Sequence, residues 1–308
     1  MTGGKGWYGA VRVRVPAKLN LTLRVGPVRS DGYHPLATLF QAVSLYDELA
    51  AVEAPDGLVT CSVSGEGADQ LTRPAQNLAV KAAHLLRERY GRPGLGVDLT
   101  IRKQIPVAGG MAGGSADAAG ALLACSVLWD LDTSPDDLAD LGAELGSDVP
   151  FALVGGCAYG TGRGEQLVPA LSRGTYHWVL AFAERGLSTP AVFRRFDELG
   201  LADGRPLEAP AAVMNALAAA DPRALGAALT NDLQPAALAM YPDLRLTIEA
   251  GLENGALGAV VSGSGPTIAF LTAGESAAVD LSVRLSSEGV ARQIRRVAGP
   301  VPGARLIA

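Results

Sequence analysis

A glycine-rich segment between a predicted strand and a predicted helix constrains this chain more than any other feature. Residues 106–115 read PVAGGMAGGS, and small and apolar residues follow to Trp129. The preceding residues, 95–105, alternate apolar and polar side chains as a strand does. Glycines let a backbone approach an anion, and the first turn of a helix offers unpaired N–H groups. The segment therefore predicts a strand, a phosphate-binding loop and a helix, with an ordinary flexible loop as the alternative.

Two common phosphate loops are excluded by the details of this segment. A Walker A loop ends in Gly-Lys-Ser or Gly-Lys-Thr, and neither follows the glycines here. The dinucleotide-binding fingerprint needs another glycine spacing and an acidic residue after the next strand. The loop must therefore be read together with other parts of the chain.

The other periodic segments mix strands and helices without a strict βαβ repeat, which predicts an α+β fold with mixed sheets and helices. At 308 residues the chain is long enough for two domains, which we place at 1–165 and 166–308. Strands are expected at 11–25 (one bulged strand or two), 36–52, 151–159 and, closing the chain, 291–297. Helices are expected at 78–90 and 135–145, capped by Asn77 and Ser134.

Composition excludes several classes of protein. No run of about 18 apolar residues is present, which argues against a membrane partner. The net charge of −5 gives no reason to expect nucleic acid. Three widely spaced cysteines and no visible signal peptide predict a reducing, cytoplasmic location. Three scattered histidines argue against a zinc site, and composition and spacing identify no metal ligand.

Two charged residues could serve phosphoryl transfer. Lys18 lies in an apolar stretch and could place positive charge near a transferred phosphoryl group. Asp148 follows the predicted helix 135–145 and could orient or deprotonate a hydroxyl, with Lys18 holding it ionised. The alternatives are an outward-facing strand lysine and an ordinary turn aspartate.

Two other turns are ambiguous when they are taken alone. Tyr33 and His34 could stack on a base and hydrogen-bond to it, or they could pack on their own strand. The SGSG sequence at residues 262–265 is either a tight β-turn or a backbone nest near an anion.

Four separated segments together resemble the GHMP small-molecule kinases. They are PAKLNL at 16–21, the loop and helix start at 106–119, GSDVPF at 146–151 and SGSGP at 262–266. Met111 and Ala112 stand where the family's loop usually has Leu-Gly. The resemblance covers about residues 11–270 and implies a two-lobed fold with its active site in the cleft between the lobes.

Within that superfamily, RSDGYH at 29–34 and LFQ at 39–41 are similar to a branch that phosphorylates a cytidyl diphosphate alcohol in isoprenoid biosynthesis. Carried over by position, the resemblance makes Lys18 and Asp148 the catalytic pair. It places Asn77 near the adenine. It assigns the ATP phosphates to Val107, Ala108, Gly109, Gly110, Met111, Ala112, Gly113, Gly114, Ser115, Ala116 and Asp117. It assigns the substrate to Asn20, Tyr33, His34, Thr189 and Phe193, with the cytosine between Tyr33 and Phe193.

The resemblance also implies what the chain binds. ATP is the phosphoryl donor, and Mg²⁺ is expected because the triphosphate charge must be neutralised, with Ser115 as a candidate ligand. The partner is a small-molecule cytidyl diphosphate substrate. Two alternatives remain open: a GHMP kinase for another small alcohol, and an inactive nucleotide-binding regulator of the same fold.

Overall fold

Two β-sheets with their helices make up the chain, seen in a computed structural model that describes residues 9–55, 57–71, 73, 76–202, 204 and 206–308. The strands are β1 (Val11–Val25), β2 (Leu36–Ala54), β3 (Val59–Gly65), β4 (Gly96–Lys103), β5 (Cys157–Thr161), β6 (Gln166–Pro169), β7 (Tyr176–Phe182), β8 (Thr230–Asn231), β9 (Gly258–Val261), β10 (Ile268–Thr272), β11 (Gln293–Gly299) and β12 (Arg305–Leu306). The helices are α1 (Leu78–Arg89), α2 (Gly113–Leu128), α3 (Pro135–Leu145), α4 (Val149–Val154), α5 (Thr189–Glu198), α6 (Ala211–Ala219), α7 (Pro222–Ala228), α8 (Gln234–Met240), α9 (Leu244–Glu253) and α10 (Glu275–Glu288).

The larger sheet is built around β1 and β2. Its order is β12-β1-β2-β4-β3, with β5 beside β2, β6 beside β5 and β8 beside β1. β1 is one strand whose register with β2 shifts at Pro16/Ala17 and again between Asn20 and Thr22. Proline has no N–H to give to a ladder, which accounts for the first shift. The single bulged strand is therefore confirmed, and its two irregularities lie on either side of Lys18.

Helix α2 packs closely on this sheet because its residues are small. Ala118 and Leu122 are fully buried in the same core as Leu49 of β2. At Gly120, an added Cβ would lie only 3.0 Å from the Cγ2 of Val15. The close approach sets α2 against β1, and the loop before α2 reaches Lys18, whose backbone N–H donates to the carbonyl of Met111 at 3.3 Å.

The smaller sheet has the order β11-β7-β10-β9, and all its neighbours are antiparallel. Val179 of β7 and Phe270 of β10 share a core with Phe196 of α5 and Leu281 of α10. The α+β class predicted from the sequence is confirmed by these two sheets and their helices. The division at 165/166 falls within the β5–β6 hairpin and stays a prediction.

The apolar segment after Asp148 begins as a helix, so the strand predicted for 151–159 was wrong in its first part. Helix α4 ends at Val154, and β5 begins only at Cys157. Pro150 fits the first turn of a helix, where its missing N–H is not needed. An apolar run of this length does not distinguish a buried strand from a buried helix.

The last predicted strand does not close the chain. Residues 291–297 correspond to β11, but β12 follows and pairs antiparallel with β1 through Leu306 and Val13. A two-residue strand is too short to show a periodic pattern in the sequence. Among the helices of the described residues, none has the length and apolar character to cross a membrane.

Candidate active site

The glycine-rich segment forms a loop between β4 and α2, as the sequence predicted. Ala108, Gly110 and Ala112 have φ values of 52°, 78° and 59°, in the left-handed region. An added Cβ at Gly110 would lie 2.0 Å from the carbonyl oxygen of Ser262, while the hydroxyl of Ser262 donates to the carbonyl of Gly110 at 3.0 Å. The loop is therefore locked against the turn at 262–265, which joins β9 to β10.

The start of α2 faces a cavity of about 470 Å³. Its N-cap residue, Ala112, supplies no side-chain hydrogen bond, so the first N–H groups of this 16-residue helix are left for a ligand. Most of the predicted loop residues line the cavity: Val107, Ala108, Gly109, Gly110, Ala112, Gly113, Gly114, Ser115 and Asp117. The side chains of Met111 and Ala116 are instead buried in the core.

Lys18 lines the same cavity, and a neighbour on its own strand holds its ammonium group by a hydrogen bond. Its Nζ donates to Oδ1 of Asn20 at 2.5 Å. Nδ2 of Asn20 donates to Oγ1 of Thr38 at 2.8 Å, and that hydroxyl donates to the carbonyl of Thr22 at 2.7 Å. Burial lowers the pKa of Lys18 below its usual value, and the nearby charge of Asp148 opposes that shift. The chain of hydrogen bonds fixes where the ammonium group points.

Asp148 stands at the first turn of α4 and also lines the cavity. Its carboxylate makes no capping hydrogen bond to the helix. No ion pair within 4.0 Å joins it to Lys18 in the part of the chain that the structure describes. The two residues predicted as a pair thus share one cavity, but the direct partner of Lys18 is Asn20.

A buried charged cluster beneath the loop was missed by the sequence analysis. Nζ of Lys103 donates to Oδ2 of Asp47 at 2.5 Å and to Oδ2 of Asp117 at 2.7 Å. Oδ1 of Asp47 accepts from the backbone N–H groups of Gln104 and Ile105 at 2.6 and 2.9 Å. The charged residues Asp47 and Lys103 inside predicted strands were the signal that could have revealed this cluster.

The third member of this cluster, Asp117, remains only partly satisfied. Its side chain is 4% exposed, and its Oδ1 has no hydrogen-bond partner. Burial raises the pKa of Asp117 to about 8, against the opposing charge of Lys103. A cluster of two carboxylates and one ammonium in a dry site favours keeping one extra proton.

A second cavity, of about 600 Å³, contains Tyr33, His34 and Phe193. Nδ1 of His34 donates to the carbonyl of Gly26 at 2.8 Å, and Nε2 lies 3.3 Å from Oδ2 of Asp197. The ring of Phe193 stacks on His34 with centroids 5.1 Å apart. Tyr33 is 53% exposed. The structure brings the three predicted residues to one cavity and adds protein partners for both ring nitrogens of His34.

The remaining predicted residues also line these cavities. Asn77 caps α1 by accepting from the N–H of Ala79 at 2.8 Å, and it lines the first cavity. Thr189 lines both cavities, and its hydroxyl lies 2.8 Å from that of Ser264. No group of three or more histidine, cysteine, aspartate or glutamate side chains with metal-binding geometry exists among the described residues.

Comparisons with known proteins identify the family of the chain. Residues 77–156 match the model for the GHMP kinases N terminal domain, and residues 213–291 match that for the GHMP kinases C terminal. The chain is 55% identical over 302 residues to the 4-diphosphocytidyl-2-C-methyl-D-erythritol kinase of Mycolicibacterium smegmatis, covering 97% of this chain and 93% of the relative. It is 54% identical to the kinase of that name from Streptomyces coelicolor, covering 97% and 99%.

Solved structures give the same picture of the fold. A crystal structure of 4-(cytidine 5'-diphospho)-2C-methyl-D-erythritol kinase superposes with a TM-score of 0.74 at 32% identity, covering 93% of this chain and 98% of that one. The homoserine kinase of Cytophaga hutchinsonii superposes with a TM-score of 0.76 at 18% identity, covering 97% of both chains. The second similarity concerns the fold alone.

Proposed function

Because this chain belongs to the GHMP kinases, in the family of the 4-diphosphocytidyl-2-C-methyl-D-erythritol kinases, we propose that its two cavities hold ATP and a cytidyl diphosphate alcohol for direct phosphoryl transfer. The chain is an ATP-dependent small-molecule kinase of the non-mevalonate route to isoprenoid precursors. It phosphorylates the 2-hydroxyl of 4-diphosphocytidyl-2-C-methyl-D-erythritol and yields the 2-phosphate and ADP. The observation that carries the residue assignments is that the phosphate loop, Lys18 and Asp148 line one cavity that adjoins the aromatic one.

The donor end of the reaction belongs to the loop and α2. The unpaired N–H groups at the start of this helix and the glycine backbone before it suit the oxygens of a triphosphate. Asn77 and Leu78 line the same cavity and would lie near the adenine. Lys103 and the extra proton that burial favours limit the negative charge that Asp117 presents near the phosphates.

At the acceptor end, Asp148 and Lys18 have different roles in the transfer. The Asp148 carboxylate orients the 2-hydroxyl and accepts its proton as the hydroxyl oxygen bonds to the γ-phosphorus and the bond to ADP breaks. The Lys18 ammonium, directed by Asn20, stabilises the negative charge on the transferred phosphoryl group. Cytosine would occupy the second cavity, against Tyr33 and Phe193.

The residues present fit a magnesium ion that is carried mainly by the triphosphate. Mg²⁺ is typically bound by substrate phosphates, water and one or two protein oxygens, so a dedicated cluster of carboxylates is not required. The hydroxyl of Ser115, which lines the first cavity, is the candidate protein oxygen. The ion would neutralise charge on the phosphates when it is bound.

We also propose that the enzyme works in the cytoplasm. The support is that Cys61, Cys125 and Cys157 are all free thiols, as in a reducing compartment.

A substrate panel tests the proposal directly. Purified protein with ATP and Mg²⁺ is given the cytidyl substrate, methylerythritol phosphate without cytidine, homoserine or mevalonate, and ADP release is followed together with the phosphorylated product. Turnover only with the cytidyl substrate is expected. Turnover with another alcohol would favour the alternative kinase, and ATP binding without any ADP release would favour the regulator.

A further inference from the structure

One wall is common to the two cavities. Both are lined by Leu36, Ser147, Arg163, Thr189 and Phe193. Arg163 is the charged member of this shared set. In a substrate with its base in the second cavity and its reacting hydroxyl in the first, the linking group would lie beside these shared residues.

Arg163 is presented from a turn with a well-defined backbone. The turn connects β5 to β6, and the carbonyl of Gly162 accepts from the N–H of Leu36 at 2.8 Å. The N–H of Arg163 donates to Oε2 of Glu165 at 2.6 Å. Gly162 and Gly164 have φ values of 71° and 109°, which other residues rarely adopt. The position of the arginine is therefore set by the fold and not by a loose loop.

The guanidinium group is positioned but not neutralised. It lies over the ring of Tyr33, 4.7 Å from the centroid. Over the described ranges of the chain, it forms neither an ion pair nor a side-chain hydrogen bond. Lys103 differs, because two carboxylates already surround it. Arg163 therefore keeps its donors for a ligand, while the stacking limits the conformations of its long side chain.

The surrounding charges indicate which ligand this arginine suits. Glu144 and Asp197 also line the second cavity, but Glu144 is paired with Arg89, and Oδ2 of Asp197 lies 3.3 Å from Nε2 of His34. Arg194 lines the second cavity but not the first. A planar guanidinium matches the oxygens of a diphosphate with two parallel hydrogen bonds.

We propose that Arg163 binds the diphosphate of the cytidyl substrate and so makes the site select cytidine diphosphate derivatives over cytidine and its uncharged derivatives. This inference rests on the proposed function and adds a specificity-determining residue to it. The arginine acts on binding, between the base and the reacting hydroxyl, and takes no part in the transfer itself.

Titrations with substrate fragments test this role without any turnover. The ATP cavity is first filled with a non-hydrolysable ATP analogue, and cytidine, CMP and CDP are then titrated by calorimetry. In the wild-type protein CDP should bind roughly 10- to 150-fold more tightly than cytidine, the range expected for hydrogen bonds to a charged group. Arg163→Ala should reduce that preference to less than about threefold, and Arg163→Lys should retain part of it.

Two further variants and a turnover assay show whether the effect is specific to Arg163. Arg195→Ala removes an exposed arginine of α5 that lines neither cavity, and it should keep the wild-type preference. An unchanged preference in Arg163→Ala, or its loss in Arg194→Ala instead, would overturn the inference. Wild-type protein that fails to phosphorylate the cytidyl substrate would overturn the proposed function, whereas wild-type turnover with an unchanged preference in Arg163→Ala would overturn the inference alone.

Discussion

The Nζ of Lys18 donates a hydrogen bond of 2.5 Å to the Oδ1 of Asn20, which lies two residues along the same strand. Asn20 is held in turn by Thr38. Asn20, which the sequence analysis assigned to the substrate, therefore also directs Lys18, the lysine for which we propose a catalytic role.

Replacing Asn20 by alanine should lower kcat more than it raises the KM for either substrate. A hydrogen bond to a charged group contributes about 1.5–3 kcal/mol, so we expect a loss of roughly 10- to 150-fold in kcat. Steady-state kinetics measure it, with Asn254→Ala as the control because Asn254 bonds at the exposed end of α9. A variant that changes only KM would show that Asn20 serves substrate binding alone.

The pH profile should report the burial of Lys18. Its pKa is lowered from 10.5 by desolvation, and the charged form is the one that assists transfer. Activity should therefore fall as the pH rises through this lowered pKa, at a pH below 10.5. In Lys18→Arg, whatever activity remains should lack this alkaline decline, because arginine stays charged. An identical decline in both proteins would assign it to another group.

Asp148→Asn should lower turnover by about 10²–10⁴ while ATP and substrate still bind, if the carboxylate accepts the proton. Asp243→Asn is a matched control, since Asp243 also precedes a helix without capping it through its side chain. The double variant with Lys18→Ala should be far from additive because the two residues act on one phosphoryl group. Additive losses would mean that they act separately.

Two glycines of the loop should respond differently to alanine. At Gly110 the φ is 78° and a Cβ would meet the carbonyl of Ser262 at 2.0 Å, so we expect a loss of stability above about 2 kcal/mol. At Gly114 the nearest atom is Cδ1 of Leu78 at 3.7 Å, so Gly114→Ala should fold normally. Because Gly114 lines the cavity, that variant should raise the KM for ATP. Urea unfolding and ATP kinetics separate the two effects.

The buried cluster under the loop should be sensitive to loss of its cation. Lys103→Met removes the cation that Asp47 and Asp117 share in a dry site, and we expect a loss of about 3–5 kcal/mol in the free energy of unfolding. Adding Asp117→Asn should recover part of that loss, because one charge is removed. Urea denaturation measures both variants, with the exposed Lys81→Met as the control. A loss below about 1 kcal/mol for Lys103→Met would contradict the role given to this cluster.

Local chemistry explains what could be predicted from the sequence. A glycine run before a helix, Asn77 and Ser134 at helix starts, and a strand over residues 11–25 all depend on neighbouring residues, and the structure confirms each of them. The class of fold came from the periodic segments, and the identity of Lys18, Asp148, Tyr33 and Phe193 as candidates came from short motifs. Such motifs indicate which chemical groups are present but not which of them are in contact in the folded protein.

Only the tertiary structure decided those contacts. The partner of Lys18 is two residues away, yet the choice between Asn20 and Asp148 depends on how β1 meets α4. Lys103, Asp47 and Asp117 come from β4, β2 and α2, and no local pattern brings them together. Arg163 reaches Tyr33 across 130 residues of sequence because β5 pairs with β2. Contacts between distant segments depend on packing and strand register, which the residues of one segment do not encode by themselves.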